Sequence, residues 1–181
     1  MNEESIIRQD RMRFTKNNAS SRLALLAILL NVLFFVSIYK INDTHYYAYQ
    51  IGASILYNLV FMLAAFLASE GVKNYKIYFS ILLIILAVGQ IVRIFIYPKQ
   101  MFNTPYDSNY ELGVTVTERV FDGSDILLRE RENRVMETSQ YIRTIIYLTL
   151  SALCLAASAV INVLKSRALA AHVASLSLQK A

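Results

Sequence analysis

Asn31, Asn58, Gln90 and Arg93 are the side chains whose types and positions invite a chemical role, because each interrupts a long apolar run. Amides donate and accept hydrogen bonds and a guanidinium donates them, but neither titrates near neutral pH, so this set can bind and orient without supplying a general acid, base or nucleophile. Asn31 lies eight residues from each end of Leu23–Tyr39, Asn58 eight after Gln50, and Gln90 seven before Tyr97. If the runs are helices, the three amides fall within roughly 5 Å of one depth. Interhelical hydrogen bonds, each worth on the order of 0.6–2 kcal/mol, are the simpler role for them. A polar ligand site or pore constriction is the sharper one.

Arg93 is the only charged residue inside any of the runs and follows Gln90 by three, on the same helical face. An arginine at a bilayer centre costs about 2.5–3.5 kcal/mol on insertion scales. Tyr97 is four residues away, about 6 Å along a helix, so the reading that the sequence favours is a guanidinium snorkelling outward. The alternative has Arg93 facing protein, bonded to Gln90, to a carboxylate of the outer connection or to an acid of another subunit. No Asp or Glu occurs in any run. That absence excludes proton antiport through an embedded carboxylate and intramembrane aspartyl proteolysis. His45 and His172 lie outside the runs, which removes a rhomboid-like Ser–His pair. Ile51–Ser69 carries no charge, against a glutathione-dependent four-span enzyme, and Asp122-Gly123 reads as a turn. The chain is expected to be no enzyme and to need no cofactor.

The elements that must position these side chains follow from composition. Of 181 residues 56% are apolar and 17% charged, and the apolar ones gather in Leu23–Tyr39, Ile51–Ser69, Ile77–Tyr97 and Thr144–Leu164. These runs have 17, 19, 21 and 21 residues, long enough to cross a hydrocarbon core of about 30 Å. The expected fold is an all-α membrane protein with four transmembrane helices in a bundle. Its divisions are an N-terminal tail 1–22, spans 23–39, 51–69, 77–97 and 141–164, a connection 98–140 and an amphipathic tail 165–181. The first run is too long for a secretory signal and is expected to be retained. A lone cysteine, Cys154, excludes an internal disulfide, a CxxC pair and a thiolate zinc site. The net charge of +5 sits at span ends, where lipid headgroups account for it. Nucleic acid is therefore not an expected partner, whereas membrane lipid and other membrane subunits, or further copies of this chain, are.

Five basic residues (Arg8, Arg11, Arg13, Lys16, Arg22) precede the first run and one, Lys40, follows it. The positive-inside rule then places the N-terminus in the cytoplasm, and four spans return the C-terminus there. Counted over all flanks, basic residues number ten inside and seven outside. Tyr39, Tyr46, Tyr47, Tyr49, Tyr97 and Tyr141 collect at one interface and form a belt without Trp. The expected location is the cell membrane.

Connection 98–140 opens with the turn formers Pro98, Asn103, Pro105, Asp107, Ser108 and Asn109. A β-branched stretch, Val114-Thr115-Val116-Thr117, then Asp122-Gly123 and Ile126-Leu127-Leu128, predict a two-stranded hairpin. The competing reading makes Ser124 the cap of a helix through Arg129-Glu130-Arg131-Glu132 into the fourth span. The run Arg129–Arg134 reads first as a solvated face, and second as a docking surface.

In the fourth run Ser151, Cys154, Ser158 and Asn162 share a face, with Ala152 and Ala159 a quarter turn aside and Ile146, Leu150, Leu153, Val160 and Leu164 opposite. Small residues admit close backbone approach, so the Ser/Ala side is expected to be buried and the Leu/Val side to meet lipid. Leu169, Val173 and Leu176 continue at helical spacing and suggest an amphipathic helix on the inner membrane surface or against a cytosolic partner. Ile6, Ile7, Met12 and Phe14 suggest the same more weakly.

The stretches 57–75, from Tyr57-Asn58-Leu59 to Lys73-Asn74-Tyr75, and 89–98, Gly89-Gln90-Ile91-Val92-Arg93-Ile94-Phe95-Ile96-Tyr97-Pro98, resemble those of small uncharacterised bacterial four-span membrane proteins. The resemblance covers roughly residues 1–98 and 141–178. It implies association with carbohydrate ABC transporters and transfers no functional residue. The expected function is accordingly an accessory or scaffold subunit. A homo-oligomeric channel or carrier with its polar path through Asn31, Asn58, Gln90 and Arg93 is the alternative, and a sensor using the outer connection ranks third.

Overall fold

The computed structural model describes residues 16–39, 48–96, 98–103, 116–122, 125–131, 136 and 138–179. Four helices are long and apolar enough to cross a membrane: α1 (Asn18–Tyr39), α2 (Ala48–Lys73), α3 (Tyr78–Ile96) and, after a short α4 (Pro98–Asn103), α5 (Thr138–Gln179). The protein is an all-α polytopic membrane protein. Around the bundle α1 packs on α2 and α5, and α3 packs on the same two helices.

Its surface is inverted relative to a water-soluble bundle. Leu56, Leu63, Ile85, Leu153 and Leu164 are among the large side chains exposed on the outside, while Ala24, Ala65, Ala68, Ala152 and Ala159 line the inside. Large aliphatic groups gain nothing from leaving lipid, whereas small ones let helix backbones approach and gain dispersion contact. Phe61, Leu83 and Leu155 fill the space among the alanines. A second apolar cluster, Phe34, Ile38, Met101, Met136 and Leu148, closes the far end near α4.

α1 begins five residues before the first apolar run because Asn17 caps it: its Oδ1 accepts from Ser20 N at 3.4 Å. Asn17 N also donates to Lys73 O at 2.9 Å, tying the start of α1 to the end of α2. α2 ends in a Schellman motif, with Lys76 N donating to Gly71 O at 3.2 Å and Tyr75 N to Val72 O at 3.1 Å. The left-handed position of that motif, usually glycine, is Tyr75 with φ 59°. Close by, the Phe79 ring lies over Gly71, where a Cβ would run into it.

Two expectations change, and the hairpin reading of the connection holds. Pro98 opens the six-residue α4 where a turn cluster was expected, consistent with proline's fitness for a first helical position. Within the 98–140 connection lie antiparallel strands β1 (Val116–Asp122) and β2 (Asp125–Arg131), with Asp122 opposite Asp125 and Val120 opposite Leu127; residues 125–131 are not the helix of the competing reading. The tail is not a separate surface helix, since α5 runs unbroken for 42 residues, about 63 Å at 1.5 Å per residue. No glycine or proline follows Gly123 in the sequence, so nothing there breaks the helix at the membrane boundary. The N-terminal candidates Ile6, Ile7, Met12 and Phe14, the belt residues Tyr46, Tyr47 and Tyr97, the turn former Pro105, Gly123 and the end of the charged run at 132–134 lie outside the described residues.

Candidate functional site

α3 presents Ser80, Leu83, Ala87, Gln90 and Arg93 on one buried face. The last two meet α1 and α2 deep in the bundle. Arg93 Nη1 donates to Asn31 Oδ1 at 3.0 Å and to Asn58 Oδ1 at 2.9 Å, and Nη2 donates to Ser54 Oγ at 3.0 Å. Asn31 Nδ2 donates to Asn58 Oδ1 at 2.9 Å, and Gln90 Nε2 to Asn31 Oδ1 at 3.2 Å. The guanidinium carbon sits 4.3 Å from the Phe34 ring centroid and 4.5 Å from that of Tyr57. Sequence depth had aligned Asn31, Asn58 and Gln90, and the structure brings all three together with Arg93.

Arg93 therefore does not snorkel: it is 5% exposed and turned into the bundle. Charge-assisted hydrogen bonds contribute about 1.5–3 kcal/mol each, and a desolvated cation–π contact up to about 2. Three such bonds and two ring faces together outweigh the roughly 2.5–3.5 kcal/mol of insertion cost. Ser54, Phe34 and Tyr57 were missed by the sequence reading. A signal was present for two of them, since Ser54 precedes Asn58 by one turn and Phe34 follows Asn31 by three residues, each on the face already marked.

A second polar seam joins α5 to α1 and α3. Ser20 Oγ donates to Ser158 O at 2.6 Å, and Ser158 Oγ returns a bond to Ser20 O at 2.7 Å. Ser151 Oγ donates to Ala27 O at 3.0 Å. Asn162 Nδ2 donates to Ser80 Oγ at 2.8 Å, and Asn17 Nδ2 donates to Asn162 Oδ1 at 3.2 Å. Ser166 Oγ donates to Tyr75 O at 3.0 Å, holding the α2–α3 turn against α5. Ser151, Ala152, Ser158, Ala159 and Asn162 are buried on this side and Cys154 is half-buried, while Ile146, Leu150, Leu153, Val160 and Leu164 are exposed. Thus the Ser/Ala face packs within the chain. Asn17, Ser20, Ser80 and Ser166 were not singled out from sequence, because a lone serine or asparagine near the end of an apolar run carries no positional signal until a partner helix is placed.

The chemistry available at the midplane cluster is binding and cohesion. Its members donate and accept hydrogen bonds and carry one fixed positive charge, and among the described residues no three His, Cys, Asp or Glu converge as a metal site. Comparison with protein-family models, curated proteins and solved structures finds no match to this chain. What the fold and site define is a class: a four-span membrane bundle locked by a buried arginine and two seams of side-chain hydrogen bonds.

Proposed function

We propose that this chain is a non-enzymatic accessory or scaffold subunit of a larger membrane assembly, with a carbohydrate ABC transporter as the assembly its sequence resemblance implies. The observation that carries the reading is the Arg93 cluster, in which the oxygens of Asn31, Asn58 and Ser54 are spent on one guanidinium within the chain. Groups committed to one another hold helices in register, which suits an anchor better than a conduit. Orientation follows the basic flank: both termini cytoplasmic, with the end of α5 standing clear of the membrane on that side as a rod. Nucleotide hydrolysis in such an assembly would belong to a partner, because the chain contains no GxxxxGK[ST] loop.

A homo-oligomeric channel or carrier is the second reading. It is favoured by two deep polar atoms, Asn58 Nδ2 and Gln90 Oε1, that the cluster leaves without partners among the described residues. Purification of the natively expressed protein in mild detergent separates the two. Stoichiometric transporter subunits in the peak support the scaffold; a peak of several copies of this chain alone overturns it. In that second case, Arg93→Ala and Asn58→Leu should abolish solute flux.

A further inference from the structure

The hairpin is a strand pair with two open edges. Among the described residues β1 and β2 form a two-stranded sheet, and each strand has the other as its main neighbour. A two-stranded hairpin is marginal in water, whereas three or more strands can hold. Each outer edge offers a row of unpaired backbone groups to a further strand.

The register selects the edge that a second copy would use. Asp122 and Asp125 close a two-residue connection, so they form a hydrogen-bonded pair, and alternation makes the pairs at 127, 129 and 131 bonded as well. The backbone groups of residues 126, 128 and 130 therefore lie on the outer edge of β2, and those of 117, 119 and 121 on the outer edge of β1. Two copies joined antiparallel along the same edge are related by a two-fold axis. On β1, every such register of five or more residues opposes Glu118 to the partner's Glu118, Arg119 to the partner's Arg119, or Glu118 to the partner's Asp122. Like charges directly opposite are destabilising. On β2, an axis at Leu128 opposes Asp125 to the partner's Arg131, Ile126 to the partner's Glu130, Leu127 to the partner's Arg129 and Leu128 to the partner's Leu128. No like charges meet, opposite charges meet at both ends, and all 7 residues of the strand are paired. An axis at Leu127 pairs fewer residues, and one at Arg129 opposes two arginines.

We propose that β2 is a homodimerisation edge, pairing antiparallel with β2 of a second copy about a two-fold axis at Leu128 to give a four-stranded sheet in the order β1-β2-β2-β1. The axis is normal to that sheet and can stand along the membrane normal, which relates two copies of equal orientation in one bilayer. A β1-to-β2 contact between copies would not close and would propagate. β1, left at the rim, carries Glu118 and Arg119, charges of the kind that blunt an edge. The pairing is independent of the scaffold reading, since two copies can meet with or without other subunits.

The test uses the full chain in its native membranes, with Cys154→Ala as background and single cysteines added at Leu128, Leu127 or Arg119, oxidised with copper phenanthroline. A bonded pair sets Cα atoms about 5.5 Å apart, inside the disulfide range, so Leu128→Cys should give a covalent dimer. In the same register the two copies of residue 127 are diagonal neighbours, about 7–8 Å apart, and Arg119 is a strand further away, so both variants should stay monomeric. Asp125→Arg should abolish the Leu128→Cys dimer by opposing two arginines, and adding Arg131→Asp should restore it. Loss of the hairpin cannot explain that pattern, because Asp125→Arg replaces the like-charge pair Asp122–Asp125 within the chain by an opposite-charge one. No dimer at Leu128→Cys, equal dimer at Arg119→Cys, a dimer at Leu127→Cys in its place, or indifference to Asp125→Arg each overturns the proposal. Co-purification tests the scaffold reading separately.

Discussion

Arg93 lies with its guanidinium carbon 4.3 Å from the centroid of the Phe34 ring, across the bundle from its own helix. Three residues before Phe34, Asn31 offers the oxygen that the same guanidinium bonds at 3.0 Å. A single turn of α1 thus supplies both a π face and an acceptor to a cation carried by α3. Removing that cation takes one donor from each of three buried oxygens; Asn31 Oδ1 and Asn58 Oδ1 keep the bonds from Gln90 Nε2 and Asn31 Nδ2, while Ser54 Oγ loses the guanidinium. Arg93→Ala should destabilise the protein by about 1–3 kcal/mol, the cost of leaving a buried polar group without its hydrogen-bond partner. Arg93→Lys should fall between the two, because an ammonium cannot present a planar fork to Asn31, Asn58 and Ser54 together. Unfolding in mixed detergent micelles measures both. An unchanged midpoint for Arg93→Ala would mean that the side chain reaches the interface instead.

Gly71 lies beneath the Phe79 ring with no space for a Cβ, at the point where α2 turns back toward α3. Gly71→Ala should displace the ring and cost about 1–3 kcal/mol, as overpacking does. Because the conflict is between two named groups, Gly71→Ala combined with Phe79→Ala should lose less stability than the sum of the single changes. Strict additivity in that cycle would show that the ring had moved freely aside.

Span number and the depth of the polar residues were legible because both depend on helix rise alone, and helix rise is constant. The partners of Arg93 were not. Deciding between snorkelling and burial requires knowing what α1 and α2 present at that depth, and although Phe34 and Ser54 share the faces of Asn31 and Asn58, the sequence does not say that those faces of two different helices meet Arg93. The Ser/Ala face of α5 could be read because small residues at helical spacing have one use in lipid, namely close packing. The unbroken length of α5 was missed for the opposite reason: charges at Lys165 and Arg167 mark a membrane boundary, which is a change of solvent and not of backbone conformation.

Tyr75 holds a left-handed backbone, φ 59°, in the position a Schellman motif ordinarily gives to glycine. A left-handed conformation costs a residue with a Cβ roughly 1–2 kcal/mol, and glycine returns part of that through its own larger unfolded entropy. Tyr75→Gly should therefore raise stability by up to about 1 kcal/mol. Tyr75→Val, β-branched and worse suited to φ above zero, should lower it. The bond from Ser166 Oγ reaches the backbone oxygen at this position, so it persists in both variants, and the comparison isolates the backbone conformation.

Ser20 and Ser158 exchange bonds to each other's carbonyls at 2.6 and 2.7 Å, which requires α1 and α5 to run close together there. Ser158→Ala removes a hydroxyl without adding bulk and should cost about 1 kcal/mol. Ser158→Leu keeps the span apolar yet forces the helices apart, and should cost more than the alanine change even though leucine partitions better into lipid. If the leucine variant proved the more stable, lipid partitioning rather than close packing would be what holds α5 in place.

The orientation of the four spans is testable with the chain's own scarcity of thiols. Cys154 is its single cysteine, so Cys154→Ala provides a background in which one new thiol reports one position. Ser175→Cys lies on an exposed part of α5 beyond the bundle, and Thr117→Cys lies on β1, on the far side of the third and fourth spans from it. A membrane-impermeant maleimide applied to intact cells should label Thr117→Cys and leave Ser175→Cys unlabelled until the membrane is opened. The five-to-one excess of basic residues around the first span predicts that order. The reverse order would place the α5 rod outside the cell, where it could not reach a cytosolic partner, and would turn the hairpin inward.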